Sequence, residues 1–90
     1  MQRKLYVGNL GYGVGGEELG RLFSGYGTVS SAEVVRYHNS PRSSGFGFVE
    51  MKTEEQSEAA IASLNGRRYG GHVLTVHWAS LAESMSLRSI

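Results

Sequence analysis

Apolar positions along this chain change their spacing several times, and the changes divide it into elements. In residues 4–10 (KLYVGNL), Leu5 and Val7 alternate with Tyr6 and Gly8. A period of two predicts a strand with the aliphatic side chains on one face and Tyr6 on the other. In residues 16–24 the spacing becomes helical, with Leu19, Leu22 and Phe23 at i, i+3 and i+4. Glu17 and Glu18 suit the positive end of that helix. Its start offers glycine where Ser, Thr or Asp is preferred, so it is poorly capped, and Gly25 and Gly27 stop it.

Residues 28–37 (TVSSAEVVRY) read as a second strand, residues 37–45 (YHNSPRSSG) as a polar loop, and residues 45–51 (GFGFVEM) as a third strand. Thr53 and Gln56 then form a T-x-x-Q capping box. The helix it opens carries Ala60, Ile61 and Leu64 on one face and closes at Asn65-Gly66. Residues 72–79 (HVLTVHWA) read as a fourth strand with Leu74 and Val76 toward the core. The order is β-α-β-β-α-β, an α+β ferredoxin-like arrangement. It places both helices on one face of a four-stranded antiparallel sheet and leaves the other face for water or a ligand. The domain occupies residues 1–79. Residues 80–90 (SLAESMSLRSI) form a tail, frayed or a short helix, since so short an isolated segment is marginal in water.

Ninety residues suffice for one core but not two. A hydrophobic share of 40% against 19% charged residues fits a folded domain rather than a disordered one. The absence of cysteine excludes disulfides and thiolate-bound zinc. No apolar run approaches the roughly 20 residues that span a bilayer, and the N-terminus lacks a signal-peptide core. An intracellular, cytoplasmic monomer is expected, nuclear if the host is eukaryotic, with no membrane partner. A net charge of +1 is low for a protein that grips nucleic acid mainly by its phosphates.

Gly11, Gly13 and Gly16 fit the dinucleotide-binding pattern G-x-G-x-x-G, between a strand and a helix, with Glu33 twenty residues beyond Gly13. That unit needs a longer chain and a parallel second strand. Here the second strand is followed by a loop and another strand, so the match is coincidental and Glu33 lies on the sheet. His38, His72 and His77 are too dispersed for a metal site. No Ser-His-Asp set or carboxylate pair is arguable from spacing. Small hydrolases of this shape need an arginine in the loop after the first strand, and NLGYGVGGEE has none. The chain therefore reads as no enzyme, and no cofactor is implied.

Strand parity isolates a different feature. Lys4, Tyr6 and Gly8 share one face of the first strand, and Ser44, Phe46, Phe48 and Glu50 one face of the third. With Val7 and Val49 in the core, three aromatic rings remain on the uncovered side. Such clusters mark binding surfaces. The alternative, rings inside and valines outside, leaves the helices' apolar faces without partners.

Residues 44–51 (SGFGFVEM) resemble the RNP1 octamer of the RNA recognition motif (RRM) at Gly45, Phe46, Gly47, Phe48 and Val49. Residues 5–10 (LYVGNL) resemble its RNP2 hexamer. The separation and element order agree over about residues 4–79. The chain is most similar to the small single-RRM proteins of bacteria and to the RRMs of glycine-rich RNA-binding proteins. Ser44 stands where the pattern has Lys or Arg, with Arg42 as candidate replacement, and Met51 replaces the final aromatic at a core-facing position.

The resemblance implies that single-stranded RNA, and single-stranded DNA as a second possibility, lies across the sheet. Bases would stack on Tyr6 and Phe46, with Phe48 near a sugar. Further contacts fall to Lys4, Asn9, Arg36, Arg42, Thr75 and His77, and to the backbone near Trp78 and Ala79. Trp78 itself reads as packing at the sheet edge. Arg67 and Arg68 have an ordinary solvated surface as their equal alternative. Two further alternatives stay open: the same face binding protein instead of RNA, and Leu81, Met85 and Leu87 folding back over the aromatics.

Overall fold

The structure is a computed structural model that describes residues 3–11, 13–36 and 43–80. The tail beyond Ser80, most of the loop after the second strand, and with it Arg42, lie outside the described residues.

The elements run β1 (Lys4–Gly8), α1 (Gly16–Ser24), β2 (Val29–Arg36), β3 (Ser43–Met51), α2 (Glu54–Leu64), β4 (Arg68–Tyr69), β5 (His72–Val73) and β6 (Thr75–Trp78). The main sheet has the order β2-β3-β1-β6 and every pairing in it is antiparallel. Leu5 sits opposite Val49 and Tyr6 opposite Phe48 across β1 and β3. Across β1 and β6, Tyr6 pairs with His77 and Val7 with Val76. β1 and β2 run in the same direction but β3 separates them. They are therefore not the adjacent parallel pair that a dinucleotide unit requires.

Both helices cover one face. Leu5, Val7, Val49 and Val76 from the sheet meet Leu19 and Phe23 of α1 and Ala60 and Leu64 of α2 in a single core, and Met51 is fully buried within it. Each large side chain so buried contributes about 1.5–3 kcal/mol. Trp78 packs half-buried against that core, at the sheet edge as its parity indicates.

α1 has Gly15 as its N-cap and no side-chain cap bond, so Leu19 and Phe23, rather than its end, hold it in place. α2 is capped as expected on one side: Thr53 Oγ1 accepts from the Gln56 N–H at 3.1 Å. The box does not close reciprocally. Gln56 Oε1 instead accepts from the Thr28 N–H at 3.1 Å, tying α2 to the start of β2. The buried Ser57 hydroxyl lies 3.0 Å from the Thr53 carbonyl, so this fully buried polar group is satisfied.

The expected fourth strand over 72–79 is broken in two. His72 and Val73 turn back to pair with Tyr69 and Arg68 in a separate two-stranded hairpin. Gly70 and Gly71 make its turn with φ of 58° and 85°, the pair of positive angles that a two-residue hairpin needs. Leu74 interrupts the run because its backbone is committed elsewhere. Its N–H donates to the Arg67 carbonyl at 2.9 Å, and its carbonyl accepts from the Gly66 N–H at 2.8 Å. Only Thr75–Trp78 joins the main sheet. The hairpin is held to α1 by the Tyr69 hydroxyl, which donates to Glu18 Oε2. Arg67 Nη1 donates to the Tyr26 hydroxyl at 3.0 Å, which gives that cation a structural contact.

Candidate nucleic-acid interface

The face of the sheet turned away from the helices carries a row of rings drawn from three neighbouring strands. Tyr6 of β1 lies parallel to His77 of β6, with centroids 4.7 Å apart and planes at 14°. On its other side Tyr6 meets Phe46 of β3 at 5.6 Å and 26°. Phe48 stands edge-on to both, at 6.0 Å and 73° from Tyr6 and 6.1 Å and 84° from Phe46. The antiparallel register produces this row: partners on paired strands project from the same face, and Tyr6 is partner to both His77 and Phe48.

Tyr6 depends on the residue two places on. A methyl group built on Gly8 would stand 2.7 Å from Tyr6 Cε1 and 2.8 Å from its Oη. The ring therefore lies across a backbone with no side chain to lift it. Gly8, in the stretch that resembles RNP2, thus has a local use.

Phe48 differs from the expectation of an exposed ring: it is only 2% exposed. It forms a second apolar cluster with Val35 and Ala79, at 7% and 4%, and the half-buried Tyr6 and Phe46 pack against it. The Lys4 ammonium lies 5.5 Å from the centroid of its ring, within cation–π range. Phe48 is thus the floor of the cluster, and Tyr6, Phe46 and His77 are its rim.

The other residues implicated by sequence fall as follows. Thr75 is exposed on β6 opposite Gly8. His77 Nδ1 is 2.9 Å from the Trp78 carbonyl. A carbonyl can only accept, so Nδ1 carries the proton in that contact. Asn9 has φ of 61° and donates from Nδ2 to the Val73 carbonyl at 2.7 Å, which fastens the end of β1 to the hairpin. Arg36 ends β2, and its side chain lies outside the described residues, as does Arg42. Sequence reasoning missed the hairpin and with it this use of Asn9. The Gly70-Gly71 pair between Tyr69 and His72 was the available signal.

Among the described residues the charges on this face are few. Lys4 faces Glu50 across β1 and β3, and Glu50 is paired with Arg3 at 3.4 Å. Glu33 projects beside Phe48, its register partner. Among the described residues no group of three His, Asp or Glu is placed to hold a metal, and no helix is long and apolar enough to cross a membrane.

A βαββαβ fold with stacked rings on the two central strands defines the class of single-stranded nucleic-acid-binding sheet domains. The family model described as the RNA recognition motif matches residues 5–75, and the chain belongs to that family. It is 40% identical to RbpE of Nostoc sp., provisionally named as an RNA-binding protein, over 94% of this chain and 86% of that one. It is 46% identical to the chloroplastic 28 kDa ribonucleoprotein of Spinacia oleracea, covering 88% of this chain but 34% of the relative's length. The solved RRM of Rna15 with bound GU RNA superposes with a TM-score of 0.84 at 27% identity, over 99% of this chain and 97% of that one.

Proposed function

We propose that this protein binds single-stranded RNA across the open face of its sheet, with bases stacked on Tyr6 and Phe46 and bordered by His77. The observation that carries the reading is the row of parallel rings His77–Tyr6–Phe46 on the face the helices leave uncovered. Each base stacked on an aromatic side chain contributes about 1–3 kcal/mol with little dependence on sequence. Two or three such bases reach about −8 kcal/mol, a micromolar Kd, without dense positive charge. Lys4 supplies a phosphate contact beside the rings, and Thr75 and Asn9 border the nucleotide path. Single-stranded DNA has the same stackable bases and is a weaker competing ligand. The reading needs no catalysis and no cofactor, and a monomer acting in the cytoplasm satisfies it.

NMR titration with a short single-stranded RNA tests it. The amides of residues 5–8, 45–49 and 75–79 are expected to shift together while those of α1 and α2 stay in place. Shifts confined to the helices, or none, would point to a protein-binding module instead.

A further inference from the structure

We infer that Glu33 is a base-reading residue that selects guanine in the nucleotide stacked over Phe46. This rests on the RNA-binding reading above and adds a sequence preference to it. Glu33 is on β2 directly opposite Phe48, with Phe46 as its diagonal neighbour on β3. Directly opposed side chains start about 5 Å apart, so Glu33 rises beside Phe48, and Phe46 is the next ring along β3 on the same face. Ala32 and Val34 on either side pack toward the helical core, and Val35 joins Phe48 in the cluster on the open face, which fixes the orientation of Glu33.

Glu50, the other glutamate on this face of the sheet, is paired with Arg3. Among the described residues nothing pairs with the Glu33 carboxylate, and the residue is exposed. A lone negative charge on a surface that receives a polyanion repels phosphate. The chemistry left to it is accepting hydrogen bonds from a base edge.

An ionised carboxylate has two acceptor oxygens and no donor. Guanine alone presents two adjacent donors on its Watson–Crick edge, N1–H and the N2 amino group, which meet both oxygens at once. Adenine and cytosine offer a single amino group there, and uracil a single N3–H. Paired donors on one side and paired acceptors on the other make the strongest and most directional match.

Fluorescence anisotropy with four labelled RNA pentamers tests this: UUGUU and its counterparts with A, C or U at the centre. They are titrated against the wild-type protein, Glu33→Gln and Phe46→Ala. A bidentate base contact corresponds to discrimination of about tenfold. Wild type is therefore expected to bind UUGUU about tenfold more tightly than UUUUU. Glu33→Gln should bring that ratio to within about twofold while holding or raising the affinity for UUUUU, because a repelling charge is gone. Phe46→Ala should weaken all four. If wild type binds all four and shows no guanine preference, or Glu33→Gln keeps it, the inference is overturned while the stacking account stands. If no pentamer binds wild type, both are overturned.

Discussion

Tyr6 and His77 face each other across β1 and β6 with their rings 4.7 Å apart and nearly parallel. The contact extends the aromatic surface from the two central strands to the edge strand, and in the proposed binding mode His77 adds to the platform offered by Tyr6. Replacing His77 with alanine is expected to weaken binding of a short single-stranded RNA about fivefold or more, near the low end of a stacking contribution of about 1–3 kcal/mol. His77→Phe should restore most of it. Tighter binding by His77→Ala in the same titration would show that His77 shields Tyr6 rather than adding to it.

Gly8 sets the attitude of the Tyr6 ring. A methyl group there stands 2.7 Å from Cε1 of a side chain that can swing away. Gly8→Ala is therefore expected to leave the thermal midpoint within a few degrees while lowering RNA affinity about tenfold. Isothermal titration calorimetry beside a thermal melt separates the two effects. A large loss of stability with unchanged affinity per folded molecule would contradict the role given to Gly8.

The scarcity of cations among the described residues of the open face has a measurable consequence. Lys4 is close to the rings and Arg3 is paired with Glu50. With only about 2–4 phosphates neutralised, log K against log salt should have a slope of about −1.5 to −3. A slope near −6 would mean that phosphate contacts dominate.

Much of this was legible in the sequence, and the misses have physical causes. Parity alone placed Tyr6 and Phe46 on one face and Val7, Val49 and Met51 on the other, because a period of two is rigid once one face is buried. The degree of burial of Phe48 was not legible: parity gives a direction, whereas exposure depends on how Tyr6, Phe46 and Lys4 lean over the ring. The break at Leu74 escaped because HVLTVHWA has an unbroken strand composition. What divides it is the commitment of the Leu74 backbone to Arg67 and Gly66, a contact set by the Gly70-Gly71 turn. Gln56 was recognisable as a capping residue, yet its side chain serves β2, which no local pattern encodes.

The Thr53 cap stabilises the second helix measurably. Thr53→Ala removes the acceptor for the Gln56 N–H and is expected to cost about 1 kcal/mol. For a domain of this size that is about 4–8 °C in the thermal midpoint. RNA affinity should be unchanged, because α2 lies on the opposite face of the sheet.

Tyr69 couples stability to alkaline pH. Its hydrogen bond to Glu18, together with burial and the Glu18 charge, raises its pKa above the ordinary 10.0. The folded state thus holds the proton more tightly than the unfolded chain. The resulting stabilisation is complete below about pH 10, where both states are protonated, and is lost as pH rises from there through the folded-state value. Tyr69→Phe should accordingly lose less stability than wild type when melts at pH 9 and pH 11 are compared. Parallel losses would show that the Glu18 contact does not govern the titration.

The central claim is that stacking on the half-buried rings of Tyr6 and Phe46 holds the RNA. Because Phe48 is buried, its truncation would cost about 3–5 kcal/mol of stability and confound the result. Tyr6→Ala combined with Phe46→Ala is the cleaner variant. The most direct measurement is the anisotropy-derived Kd of a short single-stranded RNA for wild type and this double variant, with folding verified by circular dichroism. The account predicts a folded double variant whose affinity falls at least a hundredfold. A folded double variant that binds within threefold of wild type would contradict it.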